Sequence, residues 1–75
     1  MAQRLIVTFH TTSEAMAAEF ACKREQIPGK LIPVPRTLSA GCGIAWMSEP
    51  QEQSRMEQLL ERRQIEWDQI AVIDF

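Results

Sequence analysis

The first alternation of apolar and polar positions in the chain predicts a β-strand. Leu5, Val7 and Phe9 occupy every second position, which is the period of a strand with one buried face. Thr11 and Glu14 then have the spacing of a capping box, so a helix is expected to begin directly after Thr11. The chain therefore opens with a strand followed by a helix.

The predicted helix carries three side chains on one line at a spacing of four residues. These are Met16, Phe20 and Arg24, and with Ala17 and Ala21 beside them we expect an Ala-rich helix that packs closely through this side. The helix is expected to end near Gln26, because Pro28 disfavours helical geometry in the residue that precedes it.

The remaining pattern predicts two short strands, a second helix and a last strand. Residues 30–35 are apolar and extended, but Pro33 and Pro35 cannot donate to a strand ladder, so this segment is expected at a sheet edge. A loop is expected over residues 36–43. The later predicted elements are the strand Ile44–Met47, a helix opened by the Ser48–Gln51 capping pattern and buried through Met56, Leu59 and Leu60, and the strand Ile70–Ile73.

This order of elements predicts one α+β domain over residues 1–75. The economical arrangement is a ferredoxin-like βαββαβ plait, in which a four-stranded antiparallel sheet carries both helices on one face and the first and third strands are central. In that arrangement Ile6, Trp46 and Val72 are expected on the face without helices. We therefore expect a partner to bind to that face.

Charge and composition exclude several classes of protein. Eight Lys and Arg residues stand against ten Asp and Glu residues, and the net charge of -2 argues against a protein that coats duplex nucleic acid. The predicted central strands also lack the interleaved aromatic and basic residues of an RNA-binding sheet. Because no apolar run approaches the ~20 residues of a membrane span or forms a signal peptide, we expect a cytoplasmic protein that binds neither nucleic acid nor membrane.

Two cysteines and one histidine limit the candidate chemistry. With no CxxC motif and only His10, neither a metal site nor a cofactor is predicted. Cys22 lies in the Ala-rich helix, where cysteine commonly serves as a small apolar residue. Cys42 lies between Gly41 and Gly43, whose conformational freedom lets backbone N–H groups converge on a thiolate as an anion-binding nest. The alternative is a tight turn with Cys42 as a passive occupant.

The distribution of charge favours the same loop. Residues 23–36 carry a charge of +3 and lead into the segment that contains Cys42, whereas residues 49–74 carry -4. We expect Arg36 to place a fixed positive charge near the thiol, since a guanidinium stays protonated and offers several donors. An ordinary solvated surface is the alternative interpretation of these charges.

Two blocks of the sequence resemble a known family. The segment Leu31–Arg36, which reads Leu-Ile-Pro-Val-Pro-Arg, is followed by a loop that contains Ser39 and then by the step Cys42-Gly43. These features are similar to those of the small bacterial domains described as selenium/sulfur carrier protein-like, and the resemblance covers nearly the whole chain.

The resemblance implies a carrier rather than an enzyme with turnover. A persulfide or perselenide would form on Cys42 and pass by thiol exchange to an acceptor protein. The residues expected to bind this anionic cargo are Arg36, Ser39, Gly41 and Gly43. The partners would be donor and acceptor proteins of sulfur or selenium metabolism. The alternative is a non-catalytic interaction or regulatory module that docks a partner, or forms a homodimer, through the open face of the sheet.

Overall fold

The computed structural model describes residues 2–38 and 41–75, which form four strands and two α-helices in the expected order. The strands are β1 (Gln3–Thr8), β2 (Lys30–Pro33), β3 (Ile44–Ser48) and β4 (Ile70–Asp74). The helices are α1 (Thr12–Arg24) and α2 (Gln53–Arg62), and a 3-10 turn over Pro50–Glu52 leads into α2.

The four strands form one antiparallel sheet in the order β2-β3-β1-β4. The first and third strands, β1 and β3, are the two central strands. β2 is an edge strand, as its prolines indicated, because a proline at an edge leaves no ladder hydrogen bond unmade. Both helices pack on one face of the sheet, where Leu5, Val7 and Phe9 enter the main core with the buried residues of α1 and α2.

The capping box predicted for α1 is confirmed. The Thr11 hydroxyl accepts a hydrogen bond from the Glu14 backbone N–H at 3.2 Å, and the Glu14 carboxylate accepts one from the Thr11 N–H at 3.3 Å. Two otherwise unpaired donors at the helix start are thus satisfied together. At the other end, Gln26 takes a positive φ of 60° and lies just beyond the helix.

The predicted buried line of α1 is wrong. Met16 and Phe20 are 57% and 60% exposed, and the face that packs on the sheet consists of Ala15, Ala18, Ala21 and Cys22. These small side chains let the helix backbone approach the sheet closely, and the large residues of the sheet fill the space between them. The sequence of α1 has two apolar faces, and only the face with small side chains fits between the helix and the sheet.

The predicted start of the second helix is also wrong. Ser48 is the last residue of β3, and its hydroxyl donates to the Pro28 carbonyl oxygen instead of capping a helix. The chain enters α2 through the 3-10 turn that begins at Pro50, a residue suited to the first turn because it has no N–H to satisfy. The buried stripe of α2, with Met56, Leu59 and Leu60, is as predicted.

The strand register corrects the placement of Trp46 and Val72. Trp46 lies opposite Val7 on β1, and Val72 lies opposite Leu5. Directly paired residues share a face of a sheet, so both side chains are on the face that carries the helices. Trp46 is 1% exposed within the main core. Since both alternating sets of β3 are apolar, its sequence pattern does not decide which set is turned toward the helices.

The face without helices has its own small apolar cluster. Ile6, Ile32 and Ala45 are buried there, and the side chains packed around them are Leu38, Met47 and Ile73. Leu38 comes from the loop after β2, so that loop covers part of this face. Ile6 is therefore on the expected face, but it is fully buried rather than presented to a partner.

Candidate functional site

Cys42 lies at the end of the sheet where β1 ends and β3 begins. Gly43 follows it with a φ of +79°, a conformation that favours glycine. The Gly43 carbonyl oxygen accepts a hydrogen bond from the Val34 N–H at 3.0 Å, which ties the two ends of the loop together beyond β2. This hydrogen bond thus links the residue that follows β2 to the residue that precedes β3.

The thiol of Cys42 is directed at two backbone carbonyl groups. Its Sγ atom lies 3.4 Å from the Phe9 oxygen and 3.3 Å from the Ile44 oxygen, in positions to donate its proton to either. The side chain is half-buried against the main core. Carbonyl oxygens are acceptors and suit a protonated thiol, whereas an anion-binding nest would present N–H donors. The thiol therefore meets acceptors where the sequence predicted donors.

The other residues predicted around the thiol are distributed along the loop. Gly41 and Gly43 are exposed, and a Cβ atom added at Gly41 would lie 3.5 Å from the His10 carbonyl oxygen. Arg36 is exposed in a turn closed by the hydrogen bond from the Leu38 N–H to the Pro35 oxygen. Within the described part of the chain, Arg36 makes no ion pair. Ser39 lies outside the described residues.

Cys22 has the inert, core-forming role that its Ala-rich helix predicted. It is fully buried, and its Sγ lies 3.3 Å from the Met56 Sδ. Burial raises the pKa of this thiol from 9.0 to about 12, with a further increase from the charge of Glu25 and a smaller opposing effect of Arg55. Cys22 therefore stays protonated and out of contact with solvent, and Cys42 is the accessible thiol of the two.

Of the three residues predicted to bind a partner, Val72 alone reaches the surface. It is 38% exposed, whereas Ile6 and Trp46 are buried on opposite sides of the sheet. The three side chains therefore do not form one surface. Ile6 at the centre of the small cluster is covered by the side chains around it. A partner that binds the open face would therefore contact only those surrounding side chains.

Among residues 2–38 and 41–75, no three His, Cys, Asp or Glu side chains lie close enough together to hold a metal ion. No helix in the described part of the chain combines the length and apolar character needed to cross a bilayer.

The Phe9 and Ile44 carbonyl groups are the site features that sequence reasoning missed. Every residue has a carbonyl, so a side-chain pattern carries no signal for them. The nearest indication was the alternation that ends at Phe9, which predicts the end of a strand but not the loop that returns beside it.

A protein-family model described as "Putative Se/S carrier protein-like" matches residues 4–72. The chain belongs to this family. The match includes the loop that contains Cys42 and every strand and helix of the fold except the first residue of β1 and the last two of β4. No curated protein and no solved structure matches the chain. The family description names a carrier and does not say which residue holds the cargo.

Proposed function

We propose that this protein is a sulfur or selenium carrier that holds its cargo on Cys42 and passes it to a partner protein. Family membership supports the class of function. The observation that carries the residue assignment is the contrast between the two thiols. Cys22 is buried with a raised pKa, whereas Cys42 is half-exposed on a loop. A carrier needs one thiol that both a donor and an acceptor can reach, and Cys42 meets that need.

Loading is a transfer between sulfur atoms with no net oxidation. The Cys42 thiol gives its proton to solvent, and the thiolate attacks the outer sulfur of a donor persulfide. A new S–S bond forms on Cys42 while the S–S bond of the donor breaks, and the donor leaves as a thiolate with that electron pair. Release to an acceptor thiol repeats the same exchange in the other direction. Release restores the free Cys42 thiol for another load, and the carrier has no substrate turnover of its own.

The two carbonyl groups give this cycle a resting and a loaded state. In the resting state the thiol proton is shared between the Phe9 and Ile44 oxygens, which holds the side chain against the core. Once a second sulfur is attached, the inner sulfur has no proton to donate and both hydrogen bonds are lost. The loaded side chain is then released to turn toward solvent, where an acceptor can reach the outer sulfur.

The surrounding loop supports an anionic cargo. Arg36 is exposed on the same loop, and its guanidinium is suited to pair with a persulfide or perselenide anion that has turned outward. Gly41 and Gly43 leave the approach to the thiol uncrowded, and nothing within 4 Å would meet a Cβ atom at Gly43. We also propose that the Ser39 hydroxyl helps to bind the cargo, because Ser39 lies between Arg36 and Cys42 in the sequence.

The fold and compartment belong to the same proposal. The strand order and the placement of both helices on one face support our inference of a ferredoxin-like plait. We place the carrier in the bacterial cytoplasm, because reducing conditions keep Cys42 as a free thiol between loading and release.

Intact mass spectrometry after exposure to glutathione persulfide tests the assignment. We expect one added sulfur atom on the wild-type protein and on Cys22→Ala, and none on Cys42→Ser. Cys22→Ala is the matched control, because it removes the other thiol and places alanine among the alanines of α1. An adduct that survives Cys42→Ser but disappears in Cys22→Ala would overturn the proposal.

A further inference from the structure

The two edges of the sheet differ in how well they are protected against pairing with another strand. Pro33 lies within β2, with Pro28 before it and Pro35 after it, and Lys30 begins the strand. Proline and lysine are the usual means by which an edge strand avoids new partners. The β2 edge is therefore closed to strand addition.

The opposite edge, β4, has no such protection. Its sequence Ile-Ala-Val-Ile-Asp contains no proline and has one charge, at the end. β4 pairs with β1 on one side, and no strand of the described chain pairs with its outer side. Every second residue of an edge strand directs its N–H and C=O groups outward, so this edge offers a row of donors and acceptors for a further strand.

Exposed apolar side chains lie along the same edge. Val72 is 38% exposed and Phe75, directly after β4, is 51% exposed. Ile73 is half-buried at the margin of the small cluster on the open face. A strand added here would cover apolar surface on both faces of the sheet and continue the ladder as well.

The sequence of β4 is compatible with pairing to a copy of itself. In an antiparallel pair centred on Val72, the Val72 side chains of the two copies face each other, and Ala71 of each copy faces Ile73 of the other. Asp74 of each copy then lies opposite Ile70. Like charges that face each other destabilise a pair of strands, and this register places no two of them opposite each other. On the helix face, Leu5 and Val72 of both copies would form one continuous apolar row across the junction.

We propose that the protein forms a two-fold symmetric dimer in which the β4 strands of two copies pair antiparallel and join two four-stranded sheets into one of eight strands. The occupant of the edge is a second copy of this chain, and the interface is isologous, with Val72 at the symmetry axis. The loop that contains Cys42 joins Pro33, at the end of β2, to Ile44, at the start of β3, and neither of these strands borders β4. Each copy therefore keeps its thiol outside the interface.

Sedimentation velocity across a concentration series of the full chain tests the dimer. We expect the wild-type protein to shift from monomer to dimer as its concentration rises, and Val72→Lys to raise the dimer dissociation constant by about tenfold or more, because two like charges then face each other at the axis. The matched control is Phe20→Lys, which adds the same charge at an exposed apolar residue of α1 and should leave the dimer unchanged. Circular dichroism confirms that each variant is folded.

A second experiment with opposite charges at position 72 shows whether Val72→Lys weakens association through charge repulsion at the axis or for another reason. Val72→Glu alone should also dissociate, whereas an equimolar mixture of Val72→Lys and Val72→Glu should recover the dimer, since opposite charges then meet at the axis. A wild-type protein that stays monomeric throughout, a mixture that does not recover, or a dimer lost in Phe20→Lys and kept in Val72→Lys would each overturn the proposal. None of these results bears on sulfur loading at Cys42, so the two proposals fail separately.

Discussion

At the scale of single residues, the two cysteines show how surroundings decide the chemistry of one side-chain type. Cys22 packs among alanines and against the Met56 sulfur, and burial holds its pKa near 12. Cys42 is half-buried and shares its proton with two carbonyl oxygens at a loop end. The first thiol contributes to packing, and the second is accessible to solvent.

The exposed residues of α1 lead to a first prediction at this scale. Phe20→Ala should lower the free energy of unfolding by only about 0.5 kcal/mol, because the ring is 60% exposed and its contact with the Arg24 guanidinium, 5.5 Å from the ring centre, is worth little at the surface. Leu59→Ala should lower it by about 3 kcal/mol, because it leaves a cavity in the core. Urea unfolding of both variants measures these free energies. Equal losses of unfolding free energy would show that Phe20 is buried in the core, contrary to the prediction.

At the scale of elements, the connection from α1 to β2 is fitted to the tryptophan of β3. Gly29 has a φ of +151°, and a Cβ atom placed on it would lie 2.6 Å from Cζ2 of Trp46 and closer still to the Met47 carbonyl oxygen. The Ser48 hydroxyl donates to the neighbouring Pro28 carbonyl. The backbone before β2 therefore passes directly over the indole, and no side chain fits between them.

The contrast between two glycines tests this fit. Gly29→Ala should cost about 3 kcal/mol of stability, because it combines an unfavourable φ with a clash against backbone and a buried ring. Gly43→Ala should cost about 1 kcal/mol, because its φ of +79° is unfavourable for alanine but the space around it is open. Thermal and urea unfolding of the two variants measure the difference. A Gly29→Ala protein as stable as Gly43→Ala would show that the backbone at this connection moves freely.

At the scale of the whole molecule, Glu25 joins the two helices. Its carboxylate accepts a hydrogen bond from Arg62 Nη2 at 2.6 Å and one from Arg63 Nε at 3.1 Å, both at the end of α2. The Glu25 carbonyl oxygen accepts a further hydrogen bond from Arg55 at 3.0 Å. One residue at the end of α1 is thus tied to three arginines of α2 and its C-cap.

This junction gives the stability of the protein an acid dependence. The hydrogen bond from Arg62 is the main cause that lowers the pKa of Glu25 below its ordinary value of 4.5, and Arg63 adds to it. A carboxylate with a lowered pKa in the folded state stabilises the protein above pH 4.5, and this contribution is lost as the pH falls through its folded pKa. The unfolding free energy should therefore fall with decreasing pH in this range, and less steeply in Glu25→Gln. Chemical unfolding at a series of pH values checks this.

Glu61→Gln serves as the control, because Glu61 is exposed on α2 and forms no ion pair within the described residues. It should leave the acid dependence close to that of the wild type. If Glu25→Gln and Glu61→Gln have the same profile as the wild type, the junction is not the source of the acid dependence.

The amino-acid sequence alone determined the elements and their order. The strand ending near Phe9, the capping box at Thr11 and the stripe of α2 are local patterns set by the geometry of one strand or helix, and all three elements are present. The expectation of one buried face for the strand is wrong, because Ile6 and Thr8 are buried as well. Pro33 in β2 also indicated its place at an edge, because a missing N–H disfavours a central position.

Only the tertiary structure decided which faces are buried and what the thiol meets. α1 and β3 are apolar on both sides, so periodicity cannot choose between Met16 and Ala15, or between Trp46 and Met47. The choice depends on which volumes fit between sheet and helix, a property of several elements together. The carbonyl groups beside Cys42 come from Phe9, 33 positions away, and from Ile44. Backbone atoms are the same in every residue, so only the folded chain could bring them to the sulfur.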